Sequence, residues 1–167
     1  MTFLTALLFL VTLFAAVGCG LMAGLFYAFS NFVMKALARI PAPSGIAAMQ
    51  AINVTVLNPL FLSLFLGTAA TCGVLVIYSL VSWQSPGSFL LLLGGVLYLV
   101  GNVVVTMAFN VPLNNALEWI DASSAEAAGF WSDYVVKWTR WNHVRTITAA
   151  VALVLLMLGL WRVGAVG

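Results

Sequence analysis

Residues 59–81 read PLFLSLFLGTAATCGVLVIYSLV, a run without one charged side chain. About 20 apolar residues suffice to cross a bilayer as a helix, so this stretch is long enough to span. It lies inside a larger gap: from Arg39 to Glu118 no acidic or basic side chain intervenes. Working outward, apolar runs recur at about 3–30, 88–110 and 142–162. The chain is 64% hydrophobic and 6% charged, with a mean hydropathy of +1.16. Soluble domains hold roughly a quarter charged residues, so this chain needs lipid as its solvent.

The sequence therefore predicts an all-α, polytopic membrane protein. It is a four-transmembrane-helix bundle with a short interfacial helix before the last span, all in a single membrane domain over residues 1–167. Spans are expected at about 3–30, 58–82, 88–110 and 142–162. The Ile40-Pro41-Ala42-Pro43-Ser44-Gly45 stretch breaks the first helix, because proline lacks a donor and restricts its predecessor. Residues 46–57 carry Gln50 and Asn53 and suit a tilted or partly re-entrant approach to the second span. Ser82–Ser88 is a short turn, with Trp83 placed as an interfacial anchor. Pro112 is expected to close the third helix.

Four crossings put the polar loops, 35–57 and 111–141, on the same side. Only Arg162 falls at the other end with the termini. The lysine and arginine excess then places the polar end in the cytoplasm and both termini outside, in a bacterial inner membrane. Cys19 and Cys72 both sit in apolar runs, where a disulfide framework is not expected. Met1-Thr2-Phe3 lacks the basic start of a secretory signal, so the first run reads as a retained helix. No basic stripe of the density needed for nucleic acid exists.

Polar groups in hydrocarbon are costly unless paired, so their spacing is informative. Tyr27, Asn31 and Lys35 recur every four residues on the first helix, and Asn102, Thr106 and Asn110 do so on the third. Tyr134, Trp138, Trp141, Asn142 and Arg145 form a stripe on the fourth. His143 lies off that stripe, on the face of Thr139, Thr146 and Ile147. For Asn102, Thr106, Trp83 and Trp161 the plainer account is helix association or an interfacial belt. Asn31, Lys35, Gln50, Asn53, Asn110, Asn114, Asn142, His143 and Arg145 come from many separate segments to one membrane depth, which favours a pocket.

One histidine and two cysteines cannot supply a haem, zinc or copper site within one chain, so no metal and no cofactor is expected. Phosphate loops and hydrolase elbows are missing from the sequence. His143 is the side chain whose ordinary pKa suits proton abstraction near neutral pH. Arg145, Lys35 and the amides are suited to stabilising an oxyanion. An interfacial histidine that merely anchors the fourth span is the equal alternative.

Four blocks carry a family likeness: Phe29-Ser30-Asn31-Phe32-Val33-Met34-Lys35-Ala36-Leu37, Ala48-Met49-Gln50-Ala51-Ile52-Asn53, Asn110-Val111-Pro112-Leu113-Asn114, and Trp138-Thr139-Arg140-Trp141-Asn142-His143-Val144-Arg145-Thr146. In this order they resemble the anthrone oxygenase-like family of small integral membrane proteins. The resemblance implies a four-helix membrane protein whose relatives oxidise anthrones to anthraquinones with molecular oxygen, without metal or flavin. It implies a catalytic set of His143 as base with Arg145 and Asn142. Tyr27, Asn31, Lys35, Gln50, Asn53, Asn110, Asn114, Tyr134, Trp138 and Trp141 would line the substrate site, with a hydrophobic aromatic small molecule as partner. Two other readings stay open: a non-catalytic binder or carrier of a quinone-like ligand, and a small packing subunit of a membrane complex. Gly20 and Gly24, spaced as a small-xxx-small pair, are read as close helix packing and permit a homo-oligomer.

Overall fold

The structure, a computed structural model, describes residues 3–164. Among them are four helices long and apolar enough to cross a membrane: Phe3–Leu37, Pro59–Val81, Ser88–Glu118 and Ala127–Val163. We refer to these as the first to fourth spanning helices. The chain is an integral membrane protein of four helices, and no strand occurs among the described residues. Each spanning helix packs on its sequence neighbours and the fourth closes on the first, so the bundle is a ring of consecutive helices.

The burial pattern is that of a protein dissolved in lipid. Leu10, Val17, Leu66, Ile77, Val100 and Val154 point outward, whereas Thr12, Thr68 and Asn102 are fully buried between helices. Hydrocarbon solvates the apolar outer face, and the polar groups must find partners inside. Asn102 does so by donating to Thr148 Oγ1 at 3.2 Å, joining the third helix to the fourth. Gly95 faces the second helix so closely that a Cβ there would lie 2.9 Å from the Cys72 carbonyl oxygen. Gly20 lies beside Leu153 of the fourth helix, but Gly24 has no neighbour within 4 Å, so close packing holds at one glycine of that pair.

Two expectations about the polar end are corrected. The third helix does not stop at Pro112; it continues to Glu118. Residues Leu99–Val104 and Thr106–Asn110 form π turns, and the Val111 N–H reaches back to the Thr106 carbonyl. These wider turns leave room for the Pro112 ring, which would clash with the carbonyl four residues earlier in a regular α-helix. The fourth helix starts at Ala127 and runs unbroken into its span, so no separate interfacial helix precedes it.

The separate short helix lies instead in the first polar segment, at Ala42–Thr55. Prolines at its start suit a helix N-terminus, where their missing N–H costs nothing. This linking helix lies across the polar end of the bundle and buries Ile46 and Met49 against Met34, Leu117, Trp131, Tyr134 and Trp138. Gln50 Nε2 donates to the Leu117 carbonyl at 2.9 Å and to the Ile120 carbonyl at 3.3 Å, satisfying the end of the third helix. Asn58 closes the joint: Nδ2 donates to the Thr55 carbonyl and Oδ1 accepts the Phe61 N–H, both at 3.0 Å.

The approach of the linking helix depends on Gly45, where a Cβ would lie 2.9 Å from both the Leu37 carbonyl oxygen and the Trp131 ring. Gly45→Leu is expected to cost about 1–3 kcal/mol through overpacking. Hydrogen exchange should show lost protection over residues 42–55 while the spanning helices stay protected.

Candidate functional site

A cavity of about 480 Å³ opens at the polar end, beneath the linking helix. That volume lies in the range of small-molecule sites. The first helix contributes Leu25, Phe26 and Phe29, and the second contributes Phe61. From the linking segment come Met49, Gln50, Ile52, Asn53, Val54, Val56 and Leu57. The third helix supplies Thr106, Asn110, Val111, Asn114, Asn115 and Glu118, and the fourth Trp138 and Arg145. The walls are apolar and aromatic, and amides come from the linking helix and the third helix.

Arg145 dominates the deep end. It is only 6% exposed, and its guanidinium lies 4.2 Å from the Phe26 ring centroid and 5.2 Å from that of Trp138. Nη2 donates to Asn142 Oδ1 at 2.7 Å, and Nη1 to Thr106 Oγ1 at 3.2 Å. Nε is buried without a partner. No carboxylate pairs with this cation; among the described residues the ion pair is Lys137–Asp133, on the surface at 3.1 Å. Cation–π contacts are worth at most a few kcal/mol. A buried charge without a counter-ion costs several.

Asn142 holds the arginine in place. Its Nδ2 donates at 2.7 Å both to the Phe26 carbonyl and to Ser30 Oγ, so its Oδ1 can face only the guanidinium. Ser30 lies within a third π segment, Phe29–Val33, where the Met34 N–H bonds to the Phe29 carbonyl, and Phe26 lies in the α-helical turn just before it. Such insertions unsettle the regular carbonyl ladder, and they concentrate at functional sites.

Asn114 is fixed in a similar way. Its Oδ1 accepts from Trp138 Nε1 at 2.8 Å and from the Tyr134 hydroxyl at 3.0 Å, which leaves the amide NH₂ to face the cavity. Asn53 stands beside the same tyrosine hydroxyl. Asn110 spends its Nδ2 on the Trp138 carbonyl, 3.3 Å away, and its buried Oδ1 has no partner. One stripe of the third helix thus offers an unpartnered acceptor at Asn110 and free donors at Asn114.

A scan against family models matches residues 61–155 to the model described as Anthrone oxygenase. The chain belongs to the anthrone oxygenase family. The match covers more than half of the sequence and includes every cavity residue on the second, third and fourth helices. Neither a curated protein nor a solved structure gives a match.

Of the residues singled out in the sequence, the cavity of this family member brings together Gln50, Asn53, Asn110, Asn114, Trp138 and Arg145. Asn142 and Tyr134 lie directly behind it, as supports. The others lie elsewhere. Tyr27, Asn31 and Lys35 are exposed on the outer face of the first helix, where Asn31 Nδ2 donates to the Tyr27 hydroxyl at 3.1 Å. Trp141 stacks on Phe109 at 3.6 Å, outside the cavity. His143 is exposed and lines a separate groove with Lys35 and Arg140, as its spacing from Thr139 foretold. One residue from Asn142 and two from Arg145, it points the other way around the helix.

Sequence reasoning missed Phe26, Phe29, Phe61, Thr106, Asn115 and Glu118 as lining residues. Glu118 was findable. It extends the four-residue spacing of Thr106, Asn110 and Asn114 by one step, hidden by reading Pro112 as a stop. Nothing in the pattern marks Phe26, whose role depends on how the first helix rotates against the fourth.

Asn142→Leu removes the acceptor that orients Arg145, and should destabilise the protein by roughly 1.5–3 kcal/mol. Asn31→Ala, on the outer face, should stay within about 0.5 kcal/mol of the parent. Thermal unfolding in detergent separates the two, with a drop of about 4–10 °C expected for the first alone.

Proposed function

We propose that this protein is a membrane-embedded, cofactor-independent oxygenase acting on a hydrophobic aromatic substrate of the anthrone or hydroquinone type. One observation carries the reading: in a member of the anthrone oxygenase family, a buried guanidinium without a carboxylate partner faces an aromatic-walled cavity. A neutral substrate that ionises on reaction supplies the missing negative charge.

Anthrone-type chemistry fits that arrangement. Loss of a proton from the carbon opposite the carbonyl gives an enolate whose charge rests largely on oxygen and whose central ring becomes aromatic. Arg145 meets that oxygen, and preorganised donors in a water-poor site stabilise such charge strongly. The enolate passes one electron to dioxygen, and the resulting radical pair joins to form a carbon–oxygen bond. Protonation of the distal oxygen gives a hydroperoxide. Loss of the remaining carbon-bound proton with hydroxide leaves the second carbonyl, so substrate and one O₂ give quinone and one water. Phe26, Phe29 and Phe61 flank the ring, and the Asn110 oxygen and Asn114 NH₂ take hydroxyl substituents.

The proton acceptor in this reading is Glu118, the carboxylate among the cavity's lining residues. It lies at the exposed end of the polar stripe, from which the proton passes to water. The base role expected for His143 passes to it because the imidazole lies on the opposite side of the helix. The lysine and arginine excess at this end supports a mouth facing the cytoplasm, with both termini across a bacterial inner membrane.

Purified protein supplied with an anthrone should consume one O₂ per anthraquinone formed. Arg145→Met should lower kcat roughly 10²–10³-fold, and Glu118→Gln roughly 10²-fold. Asn31→Ala should keep the parent rate. Full activity in Arg145→Met would sink this reading; substrate bound but recovered unchanged would make the protein a binder.

A further inference from the structure

The groove that holds His143 lies outside the cavity and has no part in that chemistry. It has a volume of about 330 Å³ and runs between the end of the first spanning helix and the fourth. Lys35, Arg140 and His143 converge on it. All three are exposed, and none is engaged by an acidic side chain: Asp133 on the same helix is taken by Lys137 at 3.1 Å. Two cations, Lys35 and Arg140, gathered at one spot beside an imidazole leave a positive local field that an anion balances.

Thr139 is the second, independent sign. Thr12, Thr68, Thr71, Thr146 and Thr148 each donate to the carbonyl four residues earlier, the usual resort of a hydroxyl within an apolar helix. Thr139 does not. The residue lines the groove, and its Oγ1 is buried with no hydrogen-bond partner. A hydroxyl without a partner beside two cations and an imidazole fits one oxygen-rich anion.

The groove is also continuous with the lipid-facing side of the bundle. Val135 and Val136 form its wall, and one and two turns beyond His143 the same face continues as the exposed Ile147 and Val151. An anion seated here would carry an apolar tail naturally along that face. We propose that the groove is a binding site for an anionic membrane phospholipid. Its phosphate accepts hydrogen bonds from Lys35, Arg140 and Thr139, His143 flanks it, and an acyl chain lies on Ile147 and Val151.

Native mass spectrometry of the detergent-purified protein, titrated with phosphatidylglycerol or with phosphatidylcholine of the same acyl chains, tests this directly. The parent should retain phosphatidylglycerol and not phosphatidylcholine. Each basic residue near a bilayer contributes roughly 5-fold in affinity for anionic lipid, so Lys35→Gln/Arg140→Gln should weaken retention about 25-fold. Arg140→Gln alone should weaken it about 5-fold, and provides the reading if the double variant does not purify. Thermal unfolding with inorganic phosphate should show no protection. Equal retention of the two lipids, equal protection by inorganic phosphate, or unchanged retention in the variants would each overturn the assignment.

Discussion

A single guanidinium buried in an apolar bundle sets the terms for the polar end of this protein. Arg145 must be hydrogen-bonded from within, because neither lipid nor a carboxylate is there to solvate it. Asn142 is committed to the first helix through the Phe26 carbonyl and Ser30, Thr106 comes from the third, and Phe26 and Trp138 cover the two faces. Three helices are thereby held in one register around one charge. The linking helix can lie where it does because this end of the bundle is already fixed, and the cavity is the space between them.

The π segments explain how a polar stripe stays on one side of a long helix. In an α-helix of 3.6 residues per turn, positions four apart drift roughly 40° at each step. Thr106, Asn110, Asn114 and Glu118 would spiral away from a common cavity, yet all four line it. The wider turn at Thr106–Asn110 brings a step of four residues nearer to one full turn and offsets part of the drift. The same device accommodates Pro112, so one local change serves both the helix and the site.

Hydropathy made the four spans legible because lipid imposes length and composition directly on sequence. The cavity was legible only where a spacing argument did not cross an irregular turn. Arg145, Trp138, Asn110 and Asn114 could be named as site residues, and the off-stripe position of His143 could be read from the regular fourth helix. Tyr27, Asn31 and Lys35 were grouped correctly on one face, but a face has no direction until its neighbours are known. That face looks outward. Pro112 misled for the related reason that its usual effect is cancelled by π geometry invisible in the residues.

The acceptors that fix Arg145 have a consequence for selectivity under the proposed reaction. They hold one cation in place in advance, and that cation offers more to a negative charge than to a neutral oxygen. On the proposed chemistry, two rings of equal shape would be held alike before reaction and differently once a proton has left. A cavity with broad aromatic walls and one such fixed cation would then sort its ligands by acidity more than by outline, and favour whichever ring gives up its proton most readily.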